Sequence, residues 1–159
     1  MATEKRTPTF AAIAAHAKVS AHESDGWTVA YFQRHRADDP DLSVPARTYL
    51  AECPVSVETF FKVVVVEVAA APPTKFAGGG YWEAMHGDMT GYFEVRKKYR
   101  GQHYRLFCLL DQDSKGTKPL LTLLCGMTKP DRAVFSDEDY AQVRALGDEY
   151  LARNPRSVI

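Results

Sequence analysis

The stretch from residue 91 to residue 125 constrains the fold most strongly, because it predicts three consecutive strands joined by short connections. GYFEVRKKYR and HYRLFCLLD flank a Gly-Gln pair and predict strands over residues 91–100 and 103–111. The next stretch, PLLTLLC over residues 119–125, is almost entirely apolar, which is typical of a central strand covered on both faces. The sequence therefore predicts a three-stranded meander with its apolar strand inside the sheet.

The hairpin at the start of this meander allows two registers. A two-residue turn at positions 101–102 places Lys98 opposite Arg105. A turn at positions 100–101 places Arg96 opposite Arg105 instead. Both registers put positive charges face to face.

Positive side chains gather on one face of the hairpin in either register. Alternate strand residues point to the same side, so Arg96, Lys98 and Arg100 project together, and Arg105 joins them. Like charges that face each other across strands destabilise a sheet, and a bound polyanion would relieve that repulsion. Arginine offers planar N–H donors that match phosphate oxygens, so a phosphodiester is the favoured ligand. The alternative is an outer face whose side chains spread into water.

Two further cations, Lys129 and Arg132, are predicted just beyond the end of the strand at 119–125, in the stretch GMTKPDR. Functional residues are often found where a strand meets a loop. Together with the hairpin, these side chains are expected to line a concave surface of the sheet.

The segment SVETFFKVVVVEVAAAPP requires a choice between strand and helix. Its four consecutive valines favour a strand by propensity. Apolar residues nevertheless recur at positions 57, 60, 61, 64, 65 and 68, which is the spacing of one helical face. We predict a helix that Ser56 caps, that a Glu58–Lys62 pair stabilises and that Pro72–Pro73 ends.

The remaining segments predict a strand at 27–33, a short helix at 46–53 and a C-terminal helix from Ser136 to about residue 153. Ser136 and Asp139 have the spacing of a capping box. The predicted apolar stripe of this helix consists of Tyr140, Val143, Leu146, Tyr150 and Leu151. The Gly-rich stretch TKFAGGGYWEAMHGDM predicts a connection rather than a phosphate-binding P-loop, with Trp82 and Met85 covering the edge of the core.

At 159 residues the chain is expected to form one domain. The predicted fold is α+β: a small, mostly antiparallel twisted sheet made of the N-terminal strand and the meander, with two helices packed on one face and a C-terminal helix. Residues 27–159 are assigned to this domain. Residues 1–26, which include His16 and His22, are predicted to be a weakly ordered or helical extension.

Charge is balanced over the chain but segregated along it. Lys and Arg equal Asp and Glu, at 20 each, whereas a dedicated non-specific nucleic-acid binder is normally basic. Residues 96–105 carry five positive side chains, and acids concentrate in residues 136–149. A local field of this kind can recruit an anion to a neutral protein.

Three cysteines, Cys53, Cys108 and Cys125, are an odd number without C-x-x-C spacing, so a disulfide framework or a zinc knuckle is not expected. Reduced core cysteines suit a cytoplasmic protein. The N-terminus lacks an apolar signal region, and no stretch approaches a membrane-spanning length.

The hairpin string GYFEVRKKYRGQHYRLFCLLD, the apolar strand, GMTKPD and the acidic C-terminal helix together resemble the RelE/HigB family of bacterial type II toxins. The resemblance is narrower to the phage-derived, Gp49-like HigB branch, whose motif reads as G-x-x-E-x-R, then G, then Y-R-x-F, then G-x-x-K-K. It covers about residues 27–153, and the N-terminal half matches only in the order of its elements.

The resemblance implies a toxin that cleaves mRNA on the translating ribosome and that a cognate antitoxin, of helix-turn-helix type, holds silent. Such enzymes use no metal or other cofactor and attack the phosphodiester with the RNA's own 2′-hydroxyl. By position, the resemblance implies catalytic roles for Arg96, Lys98, Arg105, Lys129 and Arg132. RNA-binding roles are predicted for Lys97, Arg100, His103 and Tyr104.

Two alternatives remain open on the same scaffold. One is a ParE-like toxin that inhibits gyrase by binding and does not cut RNA. The other is an inactive, RNA-binding member of the family. The sequence departs from the family pattern at Pro130-Asp131, where a second basic residue is common, and at Phe135, near a RelE tyrosine.

Overall fold

The computed structural model describes residues 26–70, 80–113 and 119–159, which form five strands and three α-helices. In chain order these are β1 (Thr28–Tyr31), α1 (Pro45–Glu52), α2 (Val55–Ala70), β2 (Trp82–Ala84), β3 (Tyr92–Tyr99), β4 (Gln102–Asp111), β5 (Leu120–Pro130) and α3 (Asp137–Leu151). The predicted α+β class is confirmed. The predictions for residues 1–25, for Pro72–Pro73 and for most of the loop before β5 lie outside the described residues.

The strands form one mixed sheet in the order β1-β5-β4-β3-β2. β5 pairs antiparallel with β4 and parallel with β1, so the predicted central position of the apolar strand is confirmed. β5 extends to Pro130, which faces Gln102, because β4 supplies backbone partners along its whole length. Lys129 is therefore a residue of β5 rather than of the following loop, and its predicted place beyond the strand is wrong.

Two apolar cores cover the two faces of the sheet. On one face, α1 and α2 pack over Val95, Leu106 and Leu121, with the buried stripe of α2 as the largest contribution. On the other face, α3 packs over Phe107 and Leu124. The sheet is thus the middle of three layers, and each strand residue belongs to the α1/α2 face or to the α3 face.

The hairpin between β3 and β4 turns at Arg100 and Gly101, whose φ angles are +47° and +74°. Two successive positive φ values are typical of a type I′ turn, which suits the right-handed twist of the flanking strands. Tyr99 then faces Gln102, and Arg96 faces Arg105. Of the two registers compatible with the sequence, the turn at 100–101 is the one observed.

α2 confirms the helix predicted for the valine-rich segment, and its expected apolar stripe is buried. Glu58 and Lys62 form the predicted pair, with 2.7 Å between Oε1 and Nζ. The helix begins at Val55, and the Pro54 carbonyl accepts the first backbone hydrogen bonds. Ser56 lies inside the first turn, so its predicted role as N-cap is wrong.

β2 lies within a stretch that the sequence predicted to be a connection. It pairs antiparallel with β3, with Trp82 facing Val95. The fully buried Trp82 ring stacks on Phe93 with 5.0 Å between ring centroids. The predicted packing of Trp82 and Met85 against the core is confirmed.

α3 begins with the predicted capping box. The Ser136 hydroxyl accepts a hydrogen bond from the Asp139 backbone N–H at 3.1 Å, and the Asp139 carboxylate accepts one from the Ser136 N–H at 2.8 Å. Val143 and Tyr150 of the predicted stripe are buried, whereas Leu151 is exposed and does not belong to it.

A buried polar cluster ties the C-terminal end of α3 to the sheet. Asp111, at the end of β4, accepts hydrogen bonds from Tyr150 Oη at 2.6 Å and from Arg156 Nε at 2.8 Å. Burial favours the neutral acid, but the hydrogen bonds from Arg156 and Tyr150 outweigh it and hold the pKa of Asp111 below its usual value.

All three cysteines are free and buried, as expected for core residues. Burial raises the pKa of Cys125 to about 12, so this thiol stays protonated at neutral pH. No helix in the described parts of the chain is long and apolar enough to cross a bilayer.

Gly126 of β5 lies directly under the ring of Tyr49, and a Cβ atom at this position would collide with that ring. We expect Gly126→Ala to lower the free energy of unfolding by about 1–3 kcal/mol, because a well-packed contact must open. Urea unfolding measures the change. The double variant Gly126→Ala/Tyr49→Ala should lose less unfolding free energy than the sum of the losses in the two single variants. Strictly additive losses would show that the collision is not the cause.

Asp111 makes stability depend on pH. Its pKa in the folded protein lies below the unfolded value, so its contribution is present above the usual carboxyl pKa and is lost as pH falls through the folded pKa. We expect acid to destabilise the wild type more than Asp111→Asn. Urea unfolding at pH 7 and pH 3 measures the difference, with exposed Asp41→Asn as the control. Equal acid sensitivity of all three proteins would contradict the assignment.

Candidate anion-binding site

A buried glutamate lies between the two facing arginines of the hairpin. Glu94 on β3 is only 2% exposed. Its Oε1 accepts hydrogen bonds from Arg96 Nε at 2.6 Å and from Arg105 Nη1 at 2.9 Å, and its Oε2 is 3.0 Å from Arg105 Nη1. The repulsion expected between the arginines is therefore relieved within the chain, and the sheet does not require a bound polyanion to relieve it.

This arrangement leaves donors and charge available. Each guanidinium has five N–H donors, and Glu94 engages only Nε and Nη2 of Arg96 and Nη1 of Arg105. Two positive charges share one carboxylate, so the group of Glu94, Arg96 and Arg105 has a net charge of +1. The Arg96 side chain is 45% exposed and can reach a ligand from solvent.

Aromatic rings form a wall beside Arg105. The Arg105 guanidinium lies 4.7 Å from the centroid of the Phe135 ring, which stacks on Tyr140. Phe107 contacts both rings edge-on. Burial raises the pKa of Tyr140, with Glu94 adding to the effect and Arg105 and Arg96 opposing it. Its phenol is therefore a neutral donor at neutral pH.

Lys98 and His103 share a second carboxylate, that of Asp131. Asp131 Oδ2 is 3.4 Å from Lys98 Nζ, and Oδ1 is 3.0 Å from His103 Nε2. The Asp131 backbone N–H also donates to the Gly101 carbonyl at 2.9 Å. These contacts hold the segment after β5 against the hairpin tip.

Lys129 pairs with Asp139 of the α3 capping box, at 3.1 Å from Nζ to Oδ2. Arg132 is exposed and has no hydrogen bond or ion pair to any other described residue. The five predicted catalytic residues are therefore split: Arg96 and Arg105 share Glu94, Lys98 pairs with Asp131, Lys129 pairs with Asp139, and Arg132 is exposed.

The four predicted RNA-binding residues come from both faces of the sheet and from the turn, although Lys97, His103 and Tyr104 line one cavity of about 300 Å³ with Arg96, Lys98 and Arg105. Lys97 and Tyr104 alternate with Arg96 and Arg105 and so belong to the α1/α2 face, where the Lys97 ammonium lies 4.6 Å from the centroid of the Phe60 ring. Arg100 is in the turn and lies over Tyr99, which removes it from the predicted row with Arg96 and Lys98. His103 alone lies on the same face as Arg105.

A cavity of about 340 Å³ opens on the α3 face in front of Arg96 and Arg105. Its walls come from β2, β3, β4, the 3₁₀ turn at Gly87–Met89 and the first two turns of α3. The lining residues are Ala84, Met85, His86, Asp88, Met89, Glu94, Arg96, Arg105, Asp137, Tyr140 and Arg144. Sequence reasoning did not identify Glu94, Tyr140 or Arg144 as site residues. Glu94 carried a signal, since it is the only acid in the hairpin string before residue 111.

Comparison with known proteins identifies no relative. No protein-family model matches the chain, and searches of curated proteins and of solved structures found no significant match. The relation to the RelE/HigB family thus stays a prediction from the hairpin motif.

We expect Glu94→Gln to lower the free energy of unfolding by about 2–4 kcal/mol at pH 7, because two adjacent guanidinium groups lose their buried counter-ion. Urea unfolding measures the loss. Glu52→Gln, which removes an exposed carboxylate from α1, is the matched control and should change stability by less than about 0.5 kcal/mol. A Glu94→Gln protein as stable as this control would show that the arginine pair does not depend on Glu94.

Proposed function

We propose that this protein is a metal-independent endoribonuclease of the RelE/HigB type, the toxin of a toxin–antitoxin pair, which cleaves mRNA on the ribosome. One observation carries the proposal. Arg96 and Arg105 face each other across adjacent strands, keep a net positive charge around Glu94, and present free N–H donors to a cavity. The hairpin motif that resembles the family supplies the same residues.

This geometry suits cleavage by the RNA's own 2′-hydroxyl. The 2′ oxygen forms a bond to phosphorus while the bond from phosphorus to the 5′ oxygen breaks, which yields a 2′,3′-cyclic phosphate and a 5′-hydroxyl. Negative charge grows on the phosphoryl oxygens in the transition state. Guanidinium donors already fixed by Glu94 would stabilise that charge more than the charge of the ground state.

Proton transfer requires a group that accepts the 2′ proton and one that donates to the 5′ oxygen. Glu94 and the Tyr140 phenol both line the cavity with the arginines. His103 is held by Asp131, on the same face as Arg105 but at the hairpin tip. The cavity therefore contains an acceptor and a donor of its own, without a contribution from Lys98 or His103.

A second candidate function is an RNA-binding protein of the same fold without nuclease activity. Three carboxylates, those of Glu94, Asp131 and Asp139, pair with four of the five predicted catalytic cations, and this observation favours weaker activation of a phosphate. Such a protein would still bind RNA or a partner antitoxin. Its expression without any partner would leave cell growth normal.

We expect Arg105→Gln to reduce mRNA cleavage in a translation extract by about 100-fold or more, because one fixed donor to the phosphoryl oxygens is lost. Primer extension on a translated message maps and quantifies the cuts. Arg36→Gln, which removes an exposed arginine outside the cavity, should cleave as wild type does. Circular dichroism and thermal unfolding establish that both variants are folded.

The outcomes separate the functions. Cuts by the wild type that persist in Arg105→Gln would contradict the assignment of the arginine pair. Uncut mRNA with growth arrest and a DNA-damage response would indicate a ParE-like inhibitor instead. Uncut mRNA with normal growth would indicate the non-nuclease protein.

A further inference from the structure

Arg144 stands apart from the other partly buried arginines of the protein. The structure describes five of these, and four contact a carboxylate: Arg34 with Glu149, Arg105 with Glu94, Arg153 with Asp38 and Arg156 with Asp111. Arg144 has no ion pair with any other described residue. Its one side-chain hydrogen bond within the described part of the chain runs from Nη1 to Met89 Sδ at 3.4 Å, and a thioether is a weak acceptor.

Arg144, which lacks an ion pair with the described residues, lies beside the other cations of the site. It lies on α3 one turn after Tyr140, and both side chains line the same cavity as Arg96 and Arg105. A partly buried cation loses part of its hydration, and without a counter-ion no interaction within the protein compensates for that loss. Most of the Arg144 donors remain available to a ligand in the cavity.

The charges of the cavity favour an anion in its interior. Three guanidinium groups and three carboxylates line it, and of these Arg105 and Arg144 are partly buried and Glu94 is buried. Arg96, Asp88 and Asp137 lie in exposed positions, where water screens their charges, so the interior of the cavity carries a net positive charge.

Apolar and aromatic side chains form another part of the cavity wall. Met85 and Met89 come from the segment between β2 and β3, and the Tyr140 ring comes from α3. A volume of about 340 Å³ is at the lower end for small-molecule sites, which suits a single nucleotide rather than a longer segment. Stacking on aromatic side chains is the usual way in which proteins hold unpaired RNA bases.

We propose that this cavity binds one nucleotide of single-stranded RNA, with its phosphate held by Arg144 together with Arg96 and Arg105, and its base against Tyr140 and Met85. This proposal rests on the proposed function and deepens it, because it adds Arg144 and a base-binding wall to the phosphate site. Arg144 is a binding residue on α3, so the substrate contacts the helix as well as the hairpin.

Binding to the isolated protein tests the proposal without requiring cleavage. The probes are adenosine 3′,5′-bisphosphate, inorganic phosphate and a 2′-O-methyl RNA hexamer, which cannot be cut by its own 2′ oxygen. Isothermal titration gives the affinities, and fluorescence anisotropy of the labelled hexamer gives their salt dependence. Arg144→Gln is compared with Arg36→Gln, which removes the same charge from an exposed position.

For Arg144→Gln we expect about 10-fold weaker hexamer binding and a shallower salt dependence, with the slope reduced by about 0.7 for one lost contact to a single strand. Arg144→Lys should keep most of the wild-type slope of the salt dependence but a smaller part of the affinity for the hexamer, because a lysine keeps the charge without the planar donors. The bisphosphate should bind more tightly than inorganic phosphate, and Tyr140→Ala should remove that advantage.

Three results would overturn the proposal. One is an unchanged affinity and salt slope in Arg144→Gln while Arg105→Gln weakens binding. Another is equal affinity for the bisphosphate and inorganic phosphate. The third is binding of an acidic peptide, but not of the hexamer, in an Arg144-dependent manner.

The test separates this proposal from the proposed function. Arg144-dependent nucleotide binding by a protein that does not cut mRNA would support the cavity assignment and reject the nuclease. Nucleotide binding that does not depend on Arg144, in a protein that does cut mRNA, would reject the cavity assignment and support the nuclease. Unfolding curves for each variant establish that any loss of binding occurs in a folded protein.

Discussion

The hydrogen-bonded group of Glu94, Arg96 and Arg105 is the interaction on which the site depends. Two arginines face each other across β3 and β4, and without a counter-ion their repulsion would weaken that pairing. Glu94 is buried and contacts both guanidinium groups, so it converts the repulsion into a rigid cluster. Because one carboxylate serves two cations, the cluster also keeps the positive charge that an anion needs.

The layered architecture divides the side chains of the hairpin between two faces of the sheet. α1 and α2 cover the face that carries Lys97 and Tyr104, whereas α3 covers the face that carries Arg105. Asp111, Tyr150 and Arg156 fix the C-terminal end of α3 to the sheet, while its N-terminal turns lie beside the cavity. The helix thus contributes Tyr140 and Arg144 to a site whose other cations come from strands.

Local signals were sufficient for much of the fold. Helical periodicity outweighed the four valines of α2, and the spacing of Ser136 and Asp139 gave the start of α3, because both depend on neighbours within one turn. The length of β5 and the existence of β2 depend on pairing with distant strands, which the local pattern does not encode.

The same limit applies to the site. Strand alternation placed Arg96 and Arg105 together. The carboxylates that pair with Lys98 and Lys129, however, come from the segment after β5 and from α3. The position of Arg144 beside the hairpin follows only from tertiary packing.

The carboxylates differ in how firmly they hold their cations, and this difference ranks the cations as ligands for a phosphate. Asp131 pairs with a Lys98 side chain that is 65% exposed, and surface pairs of this kind contribute about 0–1 kcal/mol, so an incoming phosphate can displace it. Asp139 is fixed by the Ser136 backbone N–H as well as by Lys129, which together keep its pKa below the usual value, so Lys129 is held more firmly. Glu94 cannot leave its buried position, but it occupies only part of the donors of Arg96 and Arg105. Arg144 has no carboxylate partner among the described residues. A phosphate that enters the cavity can therefore pair with the Arg144 guanidinium without breaking an existing ion pair.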